Sequence, residues 1–224
     1  MNRIVTLDEV KNNEKIKVLV KTANSVLEAM GYTEHGLRHV GYVSKVAADI
    51  LRTLSFDNRI VELSAITGWV HDVGNAINRN FHGLNGASLL YPILDEIGFP
   101  IDETAKILAA VGNHEADTGV PVSPISAALI IADKSDAHRT RVRRKSYNVN
   151  DIHDRVNYSI KQNWLTVDAE DRIIQYKLVM DSSSSVMEFM EIFISRMAMC
   201  EKAAELLDCR FDIVINDSLI NNHI

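Results

Sequence analysis

The sequence predicts a mainly α protein, a helical bundle over residues 1–148 followed by a small α+β unit of β-β-α-β order over residues 149–224. Three observations point there. Apolar residues recur at helical spacing from residue 8 to about 145, the period changes to two after about residue 150, and the runs are separated by short Gly, Pro and Asn punctuation.

The bundle is read as roughly six or seven helices. "EKIKVLVKTANSVLEAMG" closes on Gly31, a residue type suited to a helix C-terminus. "RHVGYVSKVAADILRTLS" puts Val40, Val43, Val46 or Ala47, Ile50 and Leu51 on one face, and "NRIVELSAITGWVHD" does so with Ile60, Leu63, Ile66, Val70 and Val73. "GLNGASLLYPILDEIG" and "IDETAKILAAVGNHE" continue the series. "SPISAALIIADKSDAHRTRVRRK" opens on a serine cap and an early proline and reads as the last helix of the bundle. Beyond it, Val156, Tyr158 and Ile160 alternate with Asn157, Ser159 and Lys161, the pattern of a half-exposed strand. "DAED" supplies a turn into "RIIQYKLVMD", making a hairpin. "SSSSVMEFMEIFISRMAMCEKAAELLD" is then one long amphipathic helix with a serine N-cap, and "RFDIVIND" a third strand. The stripe of Met187, Met190, Ile194, Met197 and Met199 either covers the sheet or forms the seam of a homodimer.

A chain of 224 residues that is 46% hydrophobic and 24% charged has enough interior to form a core without a structural metal. The net charge of −6 argues against adhesion to duplex nucleic acid by summed charge, and leaves room for a small anionic substrate wherever positive charge is local. No apolar run approaches the roughly 20 residues that span a bilayer, and "MNRIVTLDEVKNNEKIK" lacks an apolar signal core, so a cytoplasmic location off the membrane is expected. Cys200 and Cys209 lack metal-type spacing and read as reduced core thiols.

The chemistry-bearing residues lie in the first unit. "AITGWVHDVGNAINRNFHGLNGA" holds a His-Asp pair, His71 and Asp72, and a third ligand type at His82. The dipeptide alone means little, because eight His and seventeen Asp supply on the order of one such pair by chance, and a second stands in "DIHDRVNYS". Context separates the two. His71 and Asp72 follow Trp69 and Val70 in an apolar run, where ionisable groups need partners. His153 and Asp154 sit beside Arg155 at a domain junction and read as a surface turn or strand start. His39, His114 and Asp133 complete a set of imidazoles and carboxylates without thiolate, which suits Fe, Mn, Co, Ni or Zn. Taken singly, His39 reads more readily as a hydrogen-bonded helix residue than as a ligand, and Asp133 equally as a carboxylate paired with Arg or Lys.

In order and in local text, "HGLRHVGYVSKVA", "GWVHDVGN", "NHEADTG" and "IADKSDAHR" resemble the HD superfamily of metal-dependent phosphohydrolases over residues 35 to 145. The resemblance implies an HD-type helical domain in which His39, His71, Asp72 and Asp133 hold a first divalent ion. His82 and His114 match the histidines that add a second ion in some members, with Asp72 between the two. It also implies a phosphorylated small molecule or nucleotide as substrate, and water as the attacking group. Asn75 stands where many relatives have lysine, and Asn113 where the cyclic-dinucleotide branch has the first His of a His-His-Glu; that branch's Gly-Tyr-Pro is absent. Asn75, Asn113 and Asp136 are taken as substrate-facing polar groups. Asp72, Lys134, Arg139 and Arg143 are taken as the catalytic set, with one of the two arginines reaching phosphate oxygens from the basic run "KSDAHRTRVRRK". Arg141 and Arg144 of that run read as a solvated helix face. His35, one turn before His39, is a further ligand or a supporting histidine. A sensor that binds metal and nucleotide, with the C-terminal unit or a dimer partner transmitting the state, is the alternative to an enzyme.

Overall fold

The computed structural model describes residues 4–143 and 147–221. The described chain is mainly helical, with a small four-stranded sheet near its C-terminal end. Arg144, which the sequence places on a solvated face, lies outside the described residues.

Local chemistry sets most boundaries. Thr6 and Glu9 form a capping box at the start of α1 (Leu7–Asn12), and the Asn13 side chain caps α2 (Glu14–Ala29). Gly31 follows that helix at φ +84°, the left-handed backbone its C-terminus requires. α3 (Leu37–Thr53) and α4 (Asn58–Val70) cross closely at Gly68, where an added Cβ would lie 2.7 Å from the Ser44 Cα. A 3-10 turn, Val73–Ala76, leads into α5 (His82–Ile97), and α6 (Ile101–Gly112) follows. α7 (Pro124–Lys134) begins with the Ser123 cap and the proline in its first turn.

α7 is the central helix. Every residue from Ile125 to Ala132 is buried, because α3, α4, α6 and a later helix surround it. It stops at Lys134, well short of the run to residue 145 expected from the sequence. The Asp136 side chain is drawn inward to Arg38 and His39. Residues 139–141 form only a 3-10 turn. Arg139 and Arg143 therefore do not share a helix face with Asp136.

A second correction falls at the expected hairpin. Residues 152–159 are α8 (Ile152–Ser159), capped by Asp151, and β1 (Ile160–Asp168) starts only afterwards. Val156 and Ile160, four apart, are buried while Tyr158 is exposed, so the apparent alternation was the edge of a helical stripe. β1 pairs antiparallel with β2 (Ile173–Met180), in the register Val167 to Ile174. The capping box of Ser185 and Glu188 starts α9 (Val186–Leu206), which crosses to β3 (Arg210–Ile215), parallel to β2. A two-residue β4 (Ser218–Leu219), absent from the sequence reading, pairs with β3. α9 packs on both β3 and α7. Of its apolar stripe, Met197 and Met199 are buried, whereas Met187 and Ile194 are exposed. One continuous core runs through both parts of the chain. No described helix is long and apolar enough to cross a membrane.

Candidate metal centre

Six side chains from five helix ends converge. His39 is in the first turn of α3, His71 caps the C-terminus of α4 and Asp72 follows it. His82 is the first residue of α5, His114 lies just past α6, and Asp133 is in the last turn of α7. Five of the six are buried, and Asp133 is partly so.

Their ligand atoms fall into two sets. Around one point, His39 Nε2 lies 3.3 Å from His71 Nε2, 3.5 Å from Asp72 Oδ2 and 3.4 Å from Asp133 Oδ1. His71 Nε2 lies 3.5 Å from Asp72 Oδ2 and 3.7 Å from Asp133 Oδ1. Around the other, His82 Nε2 is 3.0 Å from His114 Nε2 and 3.4 Å from Asp72 Oδ1, and His114 Nε2 is 3.9 Å from that oxygen. Asp72 thus offers one carboxylate oxygen to each set.

The residues fit divalent ions on three grounds. An ion bound at roughly 2.0–2.2 Å keeps neighbouring donors about 3 to 3.6 Å apart, close to the spacings here. The histidines are also turned so that Nε2 is bare. Their Nδ1 groups donate elsewhere, from His71 to Gly68 O (2.9 Å), from His82 to Arg79 O (3.0 Å), from His114 to Val111 O (2.6 Å) and from His39 to Asp136 Oδ2 (2.7 Å). Facing Nε2 lone pairs repel unless a proton or a cation lies between them. Lastly, Asp72 Oδ2 is buried with no hydrogen-bond partner, a cost of several kcal/mol unless a cation meets it.

Electrostatics agree. Burial, opposed by Asp72, pushes His114 down to about 4, so it is neutral at pH 7. Burial and the Arg141 charge work against protonation of His39, but the neighbouring carboxylates of Asp133, Asp136 and Asp72 outweigh them and raise it to about 10. Burial opposes ionisation of Asp72 and Asp133 too. The surrounding histidines, with Lys134 beside Asp133, nevertheless hold both carboxyls well below the usual range. Without metal the first set holds a proton at His39, in a place where a cation would bind.

The supporting residues take roles the sequence reading had not given them. Asp136 accepts from His39 and, bidentately, from Arg38 at 3.0 and 2.7 Å; it orients a ligand, and burial in that arrangement leaves it committed. Asn75 donates to Asp72 Oδ1 (2.8 Å) and Asp72 O (3.1 Å), and so fixes the shared carboxylate. Lys134 lines the cavity above the cluster and donates to Asp133 Oδ2 (2.8 Å) and His114 O (2.7 Å). Glu115 accepts from His82 Nδ1 at 3.0 Å and from the Gly83 N–H; although burial opposes it, these contacts lower its carboxyl to about 2.

The cluster forms the floor of a cavity of about 860 Å³. The structure does not bring Asn113, Arg139 or Arg143 to its wall. Asn113 ends α6 and donates to Ala109 O, Arg139 is held by Tyr158 O and Asp181, and Arg143 by Tyr32 O and Asn24. The reason is that the helix expected to carry the arginines had already ended. Arg141, Arg79 and Arg196 line the cavity in their place, and His35 does as well, its Nδ1 bonded to Thr33 O. His35 is outside the groups able to hold a metal ion. His153 and Asp154, read as a surface turn or strand start, are in α8 and form part of the cavity wall. Arg79, Arg196 and this wall carried no local signal. They are far apart in sequence, and only the packing of α9 on α7 brings them to one opening.

No family model matches the chain. The uncharacterized protein MJ1020 of Methanocaldococcus jannaschii is 25% identical over 213 residues, covering 83% of this chain and 80% of that protein. A solved structure described as a predicted HD superfamily hydrolase, from an uncultured Thermotogales bacterium, matches 55% of this chain and 67% of its own at 23% identity, with a TM-score of 0.45.

Proposed function

We propose that this chain is an HD-type metal-dependent phosphohydrolase that cleaves a phosphoester bond of a small phosphorylated molecule or nucleotide with water. One observation carries the reading: two sets of bare donors share the Asp72 carboxylate at the floor of a cavity whose walls bring Arg79, Lys134, Arg141 and Arg196 in among the carboxylates. His39, His71, Asp72 and Asp133 would hold one ion, and Asp72, His82 and His114 a second. A divalent transition ion there supplies Lewis acidity toward a phosphoryl oxygen and toward the attacking water.

The remaining roles belong to the chain itself. Gly68 O, Arg79 O, Val111 O and Asp136 keep the four Nδ1 protons in place, so each imidazole presents Nε2 and cannot turn away. Asn75 and Lys134 hold the two carboxylates.

The test is metal analysis of the purified full chain, followed by a screen of phosphomonoesters, nucleotides and cyclic dinucleotides with Mn, Fe, Co, Ni and Zn. Expected are up to two ions per chain, metal-dependent release of phosphate or a nucleoside monophosphate, and loss of both in His71→Ala. His82→Ala should lose the second ion and keep the first. A folded chain that takes up no metal and turns over nothing sinks the reading.

A second reading, a sensor that binds metal and nucleotide, is favoured by the way α8 and α9 wall the cavity, since occupancy would then be felt by the C-terminal unit. Tight nucleotide binding by calorimetry with no product over hours would select it.

A further inference from the structure

Three arginines line the same cavity from three distant parts of the chain: Arg79 before α5, Arg141 in the turn after α7, and Arg196 on α9. Most described arginines have a carboxylate within 4 Å, and Arg79, Arg172 and Arg196 are the exceptions among the described residues. Arg79 donates only a long 3.4 Å bond to Asn75 Oδ1 and lies 5.6 Å from the Tyr32 ring. Arg196 donates to Ile192 O of its own helix (3.2 Å) and rests 4.8 Å from the Phe193 ring. Arg141 is 9% exposed; Nε and Nη1 bond Glu34 O and Asp136 O, but Nη2 is buried with no partner. Its one carboxylate neighbour, Asp136 at 3.8 Å, is already shared with Arg38 and His39.

A buried or half-buried guanidinium without a counter-charge of its own is costly, and gathering three of them compounds the cost. Burial, with Arg141 and Arg79 adding to it, holds the Arg196 guanidinium below its usual value against the pull of Asp133. None of the wall's carboxylates lies within ion-pair distance of Arg79 or Arg196, although Asp117, also on the wall, adds to the pull of Asp133 on Arg196. Glu115 is bonded to His82 and Gly83, Asp151 caps α8, and Asp154 accepts from Asn148 N.

We propose that Arg79, Arg141 and Arg196 form an anion subsite beside the donor cluster, which takes the second phosphate of a substrate carrying two linked phosphate groups. This rests on the phosphohydrolase reading for the first phosphate, which must reach the donor cluster to react. Guanidinium groups suit the second, because each presents a planar pair of donors to phosphate oxygens. It also gives the C-terminal unit a part in the site, since Arg196 comes from α9.

The experiment is isothermal titration of the full chain, freed of metal by chelation and kept in a phosphate-free buffer, with inorganic phosphate and with pyrophosphate. Pyrophosphate should bind more tightly than phosphate. Arg79→Gln, Arg141→Gln and Arg196→Gln should each weaken it about tenfold or more. Arg172→Gln, at an arginine that also lacks a carboxylate partner but lies away from the cavity, should leave it unchanged. Arg196→Lys should fall between, and thermal midpoints confirm that each variant is folded. No pyrophosphate binding, no preference over phosphate, or an equal loss in Arg172→Gln overturns the subsite. Metal-dependent turnover of a diphosphate with the same KM in Arg196→Gln also overturns it while leaving the hydrolase reading intact. Arginine-dependent binding without turnover of any phosphate compound does the reverse.

Discussion

Asp136 shows how much of the centre is set by residues that touch no ion. Its carboxylate holds the His39 ring by Nδ1 and is itself held by Arg38, so Asp136→Asn should keep the fold and lower metal affinity by about 10- to 100-fold, read by competition with a chelator. Arg139→Gln, three residues on and turned toward Asp181, should not change it. His39 sets the pH dependence. Its folded value of about 10 means the metal-free protein carries that proton at pH 7, and a cation must displace it. Metal affinity should therefore rise about tenfold per pH unit through neutrality, with about one proton released per ion at the first set, measurable by titration in buffers of different ionisation enthalpy. Below about pH 4 His114 also takes a proton, and the second set should fail too. At this scale the ligand types were legible in the sequence because ionisable residues inside apolar runs demand partners. Asn75, Asp136 and Lys134 were legible only as polar residues near the motif, since their partners are set by rotamers and by where α7 stops.

Helix ends carry the centre, and their placement depends on close backbone contacts. The turn after α4 lies so near α5 that a Cβ on Gly74 would stand 1.9 Å from His82 O and 2.4 Å from Gly86 N. Gly74→Ala should cost about 3 kcal/mol or more in denaturant unfolding, and should loosen the second set first, because His82 must move. α8 and α9 are joined by Arg155 and Glu188, and Glu188 also closes the capping box of α9. Hydrogen bonds from Arg155, Ser184 and Ser185 lower Glu188 from 4.5 to about 2. The folded value is depressed, so this contribution is fully present above about pH 4.5 and is lost as pH falls toward 2. Glu188→Gln should flatten the fall in thermal midpoint over that window. Capping signals such as Ser123 ahead of Pro124 and the serine run before α9 are short-range, and both helices start there. The strand expected from Val156 onward held only from Ile160, where the hairpin begins; the residues before it are helical, because two-residue alternation over so few positions is also one edge of a helix.

In the whole molecule, the boundary near residue 148 marks a change of secondary structure within one continuous core. α7 is buried along its length partly by α9, and removing residues 149–224 would expose that face to water. A 1–148 fragment should aggregate or unfold non-cooperatively, whereas the full chain should melt in a single transition by circular dichroism and by tryptophan fluorescence. The sequence by itself determined the fold class and most helix ends, because hydrophobic period and capping are local properties, and it offered the six donor residues as candidates through their types and their order along the chain. The place of Asp72 between two donor sets was implied by the resemblance; only the tertiary structure decided that Arg139 and Arg143 turn away and that Arg79, Arg141 and Arg196 share one opening. Those outcomes depend on the angle at which α9 meets α7 and on the residue at which α7 ends, and both are set by packing between segments far apart in the chain.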